Sequence, residues 1–364
     1  YGDTRIIKEA WPYMEKYMSF LEAKGKGKYV FPEAGFEEVD PKGGFGDWLS
    51  VGKKTPPDML ATMYYNYCAL LMAEMADGIG NTEKAEHYRN ISKKIKTAFA
   101  AHYMDADGKL KTNAAAYGDG KGYVDGSLGF SGHTQTAYAN AIYLQILSED
   151  NVVKAGNYLK ELVAENNNQI STGFLGFKPM LPALSATHNS ELAYMLLKDT
   201  AYPSLGFEVV NGATTIWERW DSYIKGEGFR HNASMNSFNH YAFGAVCEWM
   251  FQNMAGISPA DAGFRTFIIK PEIASSGINY VNASYHSING EIRSSWKKEN
   301  GKLILRVSVP VNTNAEVVIP SAPAKHIRIN NRPINEFNHR SIGKIEELIS
   351  ISLGSGNHNI MINE

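Results

Sequence analysis

The sequence predicts a mainly helical domain followed by a smaller β domain. The expected architecture is an (α/α)6 toroid, incomplete at its N-terminal end, over about residues 1–262, then an antiparallel β-sandwich over 263–364. Three observations carry this expectation. Apolar residues recur at helical spacing in the first part, as in Leu60, Met63, Tyr64, Tyr67 and Leu71. After about residue 262 the period falls to two: Leu303, Leu305, Val307 and Val309 alternate with Lys302, Ile304, Arg306 and Ser308. Short links at Gly78–Asn81 and Ser148–Asp150 set consecutive helices antiparallel, as in a ring of hairpins.

The elements follow in order. Thr4 is placed to cap a helix that runs to Lys24, and a Gly/Lys turn follows. Residues 31–54 read as a loop that carries Gly46-Asp47-Trp48-Leu49. Thr55-Pro56-Pro57-Asp58 opens the next helix, with Thr as cap and Pro in the first turn, and Gly78 and Gly80 end it. Thr82 is the expected cap of a helix whose apolar face holds Tyr88, Ile91, Ile95 and Phe99. Residues 118–132 hold six glycines in fifteen positions but lack the Gly-x-Gly-x-x-Gly spacing, so they read as a connector. Helical patterns resume over 133–147, 151–166, 175–186 and 189–198, and a last helix is expected from Asn239 to Ala255. That makes eight helices, where six closed hairpins would need twelve. Strands are expected at 264–270, 280–285, 291–296, 302–309, 316–319, 327–329, 349–353 and 359–362.

Composition narrows the function. With 36 basic and 38 acidic residues the net charge is −2, which offers no basic stripe for nucleic acid. No apolar run approaches the ~20 residues of a membrane span. The two cysteines, Cys68 and Cys247, fall in separate helical patterns and suggest neither a disulfide framework nor a metal site. No cofactor or metal motif is present: His-Glu-x-x-His and Gly-x-Ser-x-Gly are missing, and Asp105-Ala106-Asp107-Gly108 departs from the EF-hand pattern.

The stretch Trp217-Glu218-Arg219-Trp220-Asp221 is the most informative. Indole faces stack on the C–H faces of sugar rings, and a carboxylate beside them can activate water at an anomeric carbon. The alternative is a surface ion pair flanked by two core tryptophans. Asp47-Trp48 repeats the pairing of carboxylate and indole in a glycine-flanked loop, or is a turn Asp beside a half-buried Trp. Asn239 and His240 stand at the start of the last helix, either as cap and core histidine or as a polar clamp on sugar hydroxyls.

Six motifs in order make a specific resemblance. They are Tyr1-Gly-Asp-Thr-Arg5, Gly46-Asp47-Trp48-Leu49, Thr134-Gln135-Thr136-Ala137-Tyr138, Ser171-Thr172-Gly173-Phe174-Leu175-Gly176, Gly212 through Trp220, and Ser237-Phe238-Asn239-His240-Tyr241-Ala242. Together they resemble the bacterial α-L-rhamnosidases of glycoside hydrolase family 78, and the likeness continues into Gly263-Phe264-Arg265 through Pro271. The resemblance implies an (α/α)6 catalytic domain, a β-sandwich behind it, and inverting hydrolysis of terminal α-L-rhamnosides. It implies that Glu218 is the general base, that Asp47 contacts sugar hydroxyls, and that His240 lies at the same pocket. Trp48, Trp217, Trp220 and Asn239 complete the expected sugar-binding set. Because rhamnosides are usually met outside the cytoplasm, it also favours a secreted or periplasmic protein.

One departure matters. The family's general acid is a Glu in a motif resembling Asp-x-x-Gln-Arg-(Asp/Glu)-Glu-x-x-Gly-Trp, upstream of the position matching Tyr1, and this chain has no such stretch. An inverting glycosidase needs two carboxylates. The chain is therefore expected to be the C-terminal part of the enzyme, nearly inactive without the preceding part of the same polypeptide. The other readings are a non-catalytic carbohydrate-binding protein and a helix-barrel glycosidase for a different sugar.

Overall fold

A computed structural model describes residues 1–25, 27–31, 46–111, 129–232, 235–273, 277–342 and 347–363. Most of the glycine-rich connector, residues 118–128, lies outside the described residues. The chain divides into two units, Thr4–Ala245 and Val246–Glu364, the second also holding Tyr1–Asp3.

The helical unit begins with α1 (Arg5–Lys24), which buries Met18 and Leu21. Next, α2 (Pro57–Gly78) is apolar almost all round and is buried to match, with Met59, Met63, Ala69 and Ala76 closed to solvent. Its hairpin partner α3 (Thr82–Tyr103) is one-sided and buries the expected face of Tyr88, Ile91, Ile95 and Phe99. Two caps differ from the sequence reading. Asn81, not Thr82, caps α3 by accepting from the Lys84 N–H at 3.0 Å. Pro56 stands at the cap position of α2, while the Thr55 hydroxyl pairs with that of Thr134 at 2.6 Å.

Four shorter helices follow: α4 (Gln135–Tyr143), α5 (Glu149–Glu165), α6 (Phe174–Ala186) and α7 (Ser190–Lys198). Thr134 caps α4, and Gln135 beside it bridges to the carbonyls of Leu162 and Gln169 and to the N–H of Ser171. The polar triplet Thr134-Gln135-Thr136 is thus a buried hub that joins helices. A further helix, α8 (Leu205–Val210), escapes the sequence reading because six residues are too few to show a period. Ser204 caps it, accepting from the Phe207 N–H at 2.9 Å.

The expected continuous helix from Asn239 to Ala255 does not form. Residues 237–240 pair with 216–218 in extended fashion: Glu218 N–H donates to the Ser237 carbonyl and His240 N–H to the Ile216 carbonyl, both at 2.9 Å. Helical structure starts only with a 3₁₀ turn at Ala242–Ala245. In the second unit a short α9 (Val246–Trp249) runs into π-helical turns at Met250–Met254.

The β unit starts before the expected boundary at 262–263. Its β3 (Ile257–Pro259) pairs with β4 (Thr266–Ile269), and the Trp296 indole donates to the Met254 carbonyl at 2.8 Å. The remaining strands are β5 (Tyr280–Ser287), β6 (Gly290–Glu299), β7 (Lys302–Val309), β8 (Asn314–Pro320), β9 (Ile327–Ile329), β10 (Arg332–Pro333), β11 (His339–Ile342), β12 (Leu348–Leu353) and β13 (Gly356–Asn363). One sheet runs β10-β9-β13-β7-β6-β5 and the other β11-β12-β8-β4-β3. Alternate residues of both sheets, among them Leu305, Val307, Ile360, Phe267, Val317 and Ile351, fill a single core, which makes the unit a β-sandwich. Every pair is antiparallel except β4 with β8. The hairpin β1 (Tyr223–Ile224) and β2 (Gly228–Phe229) belongs to the helical unit.

Candidate active site

The helical unit holds a cleft of about 820 Å³. One face of α2 forms a wall: Pro57, Leu60, Ala61 and Tyr64 fall at i, i+3, i+4 and i+7 and so point the same way. Gly46 and Trp48 border it from the loop before α2, and Phe174 and Leu175 from the start of α6. Glu218, Met235 and His240 complete the lining.

Glu218 is buried, yet it reaches this cleft. Its Oε2 accepts the Ser237 N–H at 2.9 Å, and its own N–H holds the Ser237 carbonyl. The carboxylate is therefore fixed at one oxygen, and no described group donates to Oε1. A carboxylate held in this way, with an oxygen left for a ligand or water, has the acceptor capacity a general base requires.

His240 lies on the same lining. Its ring stacks on Phe174, with centroids 4.7 Å apart and planes 27° apart. Its Nδ1 is buried with no hydrogen-bond partner among the described residues. Tyr64, read from sequence only as part of an apolar helix face, is also part of the cleft wall. Burial and the nearby Asp47 push its pKa up to about 12, so it stays a donor over the whole useful pH range.

The other expected sugar contacts sit elsewhere. Trp217 and Trp220 are 4% and 3% exposed and do not line the cleft. Trp217 meets the ring of Phe238 edge-on at 5.3 Å, and Trp220 lies flat on Phe243 with centroids 3.7 Å apart. Both serve the core, leaving Trp48 as the indole at the cleft. Arg219 and Asp221 turn outward from the motif: the Arg219 Nε–H donates to the Met235 carbonyl, and Asp221 pairs with His231 at 2.7 Å. Asn239 is exposed, outside the lining, with its N–H on the Ser237 hydroxyl.

Asp47 is closed to solvent. Its Oδ2 accepts from the Thr136 hydroxyl and from the Gly173 N–H at 2.7 Å, and its Oδ1 from the Gly176 N–H at 3.0 Å. Burial pushes this carboxyl up, opposed by those hydrogen bonds and one from Leu175. No oxygen of Asp47 lines the cleft, so the expected contact with sugar hydroxyls is not what this geometry offers. A further buried acid, Glu208 on α8, escapes the sequence reading. Its Oε2 accepts from the Trp217 N–H at 3.4 Å, and its Oε1 is buried without a partner among the described residues.

A helical unit with a carboxylate, an imidazole and aromatic walls at its cleft, ahead of a β-sandwich, has the makings of a six-hairpin glycosidase. Comparison with known proteins makes that class specific. Residues 1–254 match the bacterial alpha-L-rhamnosidase six-hairpin glycosidase domain, and residues 256–332 match the bacterial alpha-L-rhamnosidase C-terminal domain. The chain belongs to the bacterial α-L-rhamnosidase family of glycoside hydrolases. It is 32% identical to an alpha-L-rhamnosidase of Streptomyces avermitilis over 100% of this chain and 31% of that protein. It is 33% identical to one of Formosa agariphila over 91% and 33%. The chain thus spans about a third of the length of these relatives. A crystal structure of the Streptomyces avermitilis enzyme complexed with L-rhamnose superposes with a TM-score of 0.84, covering 100% of this chain and 31% of the other. An alpha-L-rhamnosidase from Dictyoglumus thermophilum, 24% identical over 100% and 38%, shares the fold at a TM-score of 0.79.

Proposed function

We propose that this chain is the base-bearing part of an inverting α-L-rhamnosidase. Glu218 takes a proton from water as the water oxygen attacks the anomeric carbon and the glycosidic C–O bond breaks. A second carboxyl, supplied from outside this chain, protonates the departing oxygen. Trp48 and His240 border the sugar, and the hydroxyl of Tyr64 donates to it. The mostly apolar wall of α2 suits a 6-deoxy sugar, whose methyl group needs no hydrogen-bond partner.

The observation that carries the reading is the setting of Glu218: a carboxylate anchored at Oε2 by a backbone N–H, in the lining of a cleft beside an imidazole. The test is Glu218→Gln in the full-length protein with an aryl α-L-rhamnoside. Gln keeps an oxygen for the Ser237 N–H, so the local fold should persist while the base is gone. Hydrolysis is expected to fall by about 10²–10⁴-fold. An unchanged rate would remove Glu218 from the mechanism. The chain by itself should hydrolyse the substrate barely above background; substantial turnover would mean that it carries its own acid.

A further inference from the structure

We infer that Asp47 is a positioning residue, acting on the cleft through the loop of Trp48 and the N-terminus of α6. This rests on the cleft being the sugar site, as proposed above.

Helix α6 begins after Gly173, which has no side chain with which to cap it. The first N–H groups of a helix need acceptors, commonly supplied by a side chain at the cap position. Here the cap comes from a residue 126 positions away: Asp47 takes the N–H groups of Gly173 and Gly176. A carboxylate also suits the positive end of the helix dipole. The arrangement requires glycine at 173, because a Cβ there would lie 2.1 Å from the Trp48 carbonyl oxygen. At 176 a Cβ would lie 2.4 Å from the Thr136 hydroxyl. The Phe174 N–H completes the seam on the Trp48 carbonyl at 3.0 Å.

The seam leads to two walls of the cleft. Trp48 follows Asp47 directly, while Phe174 and Leu175 are the residues whose backbone the seam fixes. Phe174 in turn carries the stacked ring of His240. Asp47 therefore sets the spacing between the indole on one side and the imidazole on the other without touching the sugar. This accounts for a Gly-Asp-Trp motif in which the carboxylate is wholly buried and the indole is not.

The test uses this chain labelled with 5-fluorotryptophan. Six fluorine signals arise from its six tryptophans, and Trp48→Phe assigns the one that matters. In Asp47→Asn, which turns an acceptor into a donor facing N–H groups, the Trp48 signal should shift or broaden while that of Trp296 in the β unit stays. Affinity for L-rhamnose, measured by calorimetry, should fall about tenfold, the loss of a charged hydrogen bond. Thr136→Val removes a single donor and should move the same signal less, with a loss of roughly threefold; it keeps the test open if the first variant does not fold. A folded Asp47→Asn with the Trp48 signal unmoved would overturn the inference. So would weaker rhamnose binding with an unmoved signal, since that pattern belongs to direct contact. The affinities are measured in the full-length protein, where absence of rhamnose binding would refute the sugar reading, while the fluorine signals decide separately whether Asp47 positions Trp48.

Discussion

Of the buried carboxyls in the helical unit, Asp47, Glu218 and Glu208 have three different fates, and the difference lies in how many hydrogen bonds each accepts. Asp47 has donors at both oxygens, Glu218 at one, and Glu208 keeps only a 3.4 Å contact with the Trp217 N–H. Burial pushes the Glu208 pKa from 4.5 up to about 8, with little from hydrogen bonding to oppose it. The folded state therefore keeps the Glu208 proton over a range where the unfolded chain has lost it. Stability must fall as pH rises from about 4.5 to about 8. Glu208→Gln is neutral in both states and abolishes that dependence. Its stability advantage should be small at pH 4.5 and grow to on the order of 3–5 kcal/mol by pH 8. Thermal melts of both proteins at several pH values check this; parallel curves would show that Glu208 ionises normally when folded.

The tryptophans show why single residues were only partly legible in the sequence. Trp48, Trp217 and Trp220 all stand next to an acidic or otherwise polar neighbour, and nothing in a linear motif separates an indole that stacks on a ligand from one that stacks on Phe243. The distinction is tertiary: Trp220 meets Phe177 and Phe243 because α6 and the segment after His240 converge on it. Trp220→Ala should therefore behave as a core truncation and cost about 3–5 kcal/mol of stability. Trp48→Ala should leave stability nearly unchanged and weaken sugar binding. Denaturant titrations together with L-rhamnose calorimetry separate the two; equal stability losses would place Trp48 in the core as well.

Elements with a sustained period form where the sequence predicts them, and short or polar-locked ones do not. Helix α3 and the strands β6 and β7 follow directly from the period of their apolar residues, since burial of one face is what makes each of them form. The last helix starts later than its apolar period predicts because the Asn239 N–H goes to the Ser237 hydroxyl and the His240 N–H to the Ile216 carbonyl. The boundaries of α6 depend on glycines whose role is close approach: with a Cβ at 2.1 Å from the Trp48 oxygen, Gly173→Ala has no room. Because backbone rather than a flexible side chain stands in the way, that substitution should cost more than about 3 kcal/mol. A Tm within a degree or two of the parent would show that the loop of Trp48 yields easily.

For the whole molecule, the order of a helical unit and a β-sandwich was legible because the apolar period changes once along the chain. Residues 246–255 carry a helical pattern in the sequence but group with the β unit, and only contacts reveal that. The β unit has its own continuous core. The helical unit carries the cleft and Glu218, so the chemistry of the family reduces to one question at this scale: whether Glu218 delivers the water. Azide answers it most directly in the full-length protein with Glu218 replaced by Ala, because an anion can attack the anomeric carbon with no base to deprotonate it. The account predicts that Glu218→Ala is inactive in water, that azide restores release of the aryl group, and that the product is the β-L-rhamnosyl azide, inverted from the α-linked substrate. Undiminished hydrolysis without azide, or an azide product of α configuration, would contradict it.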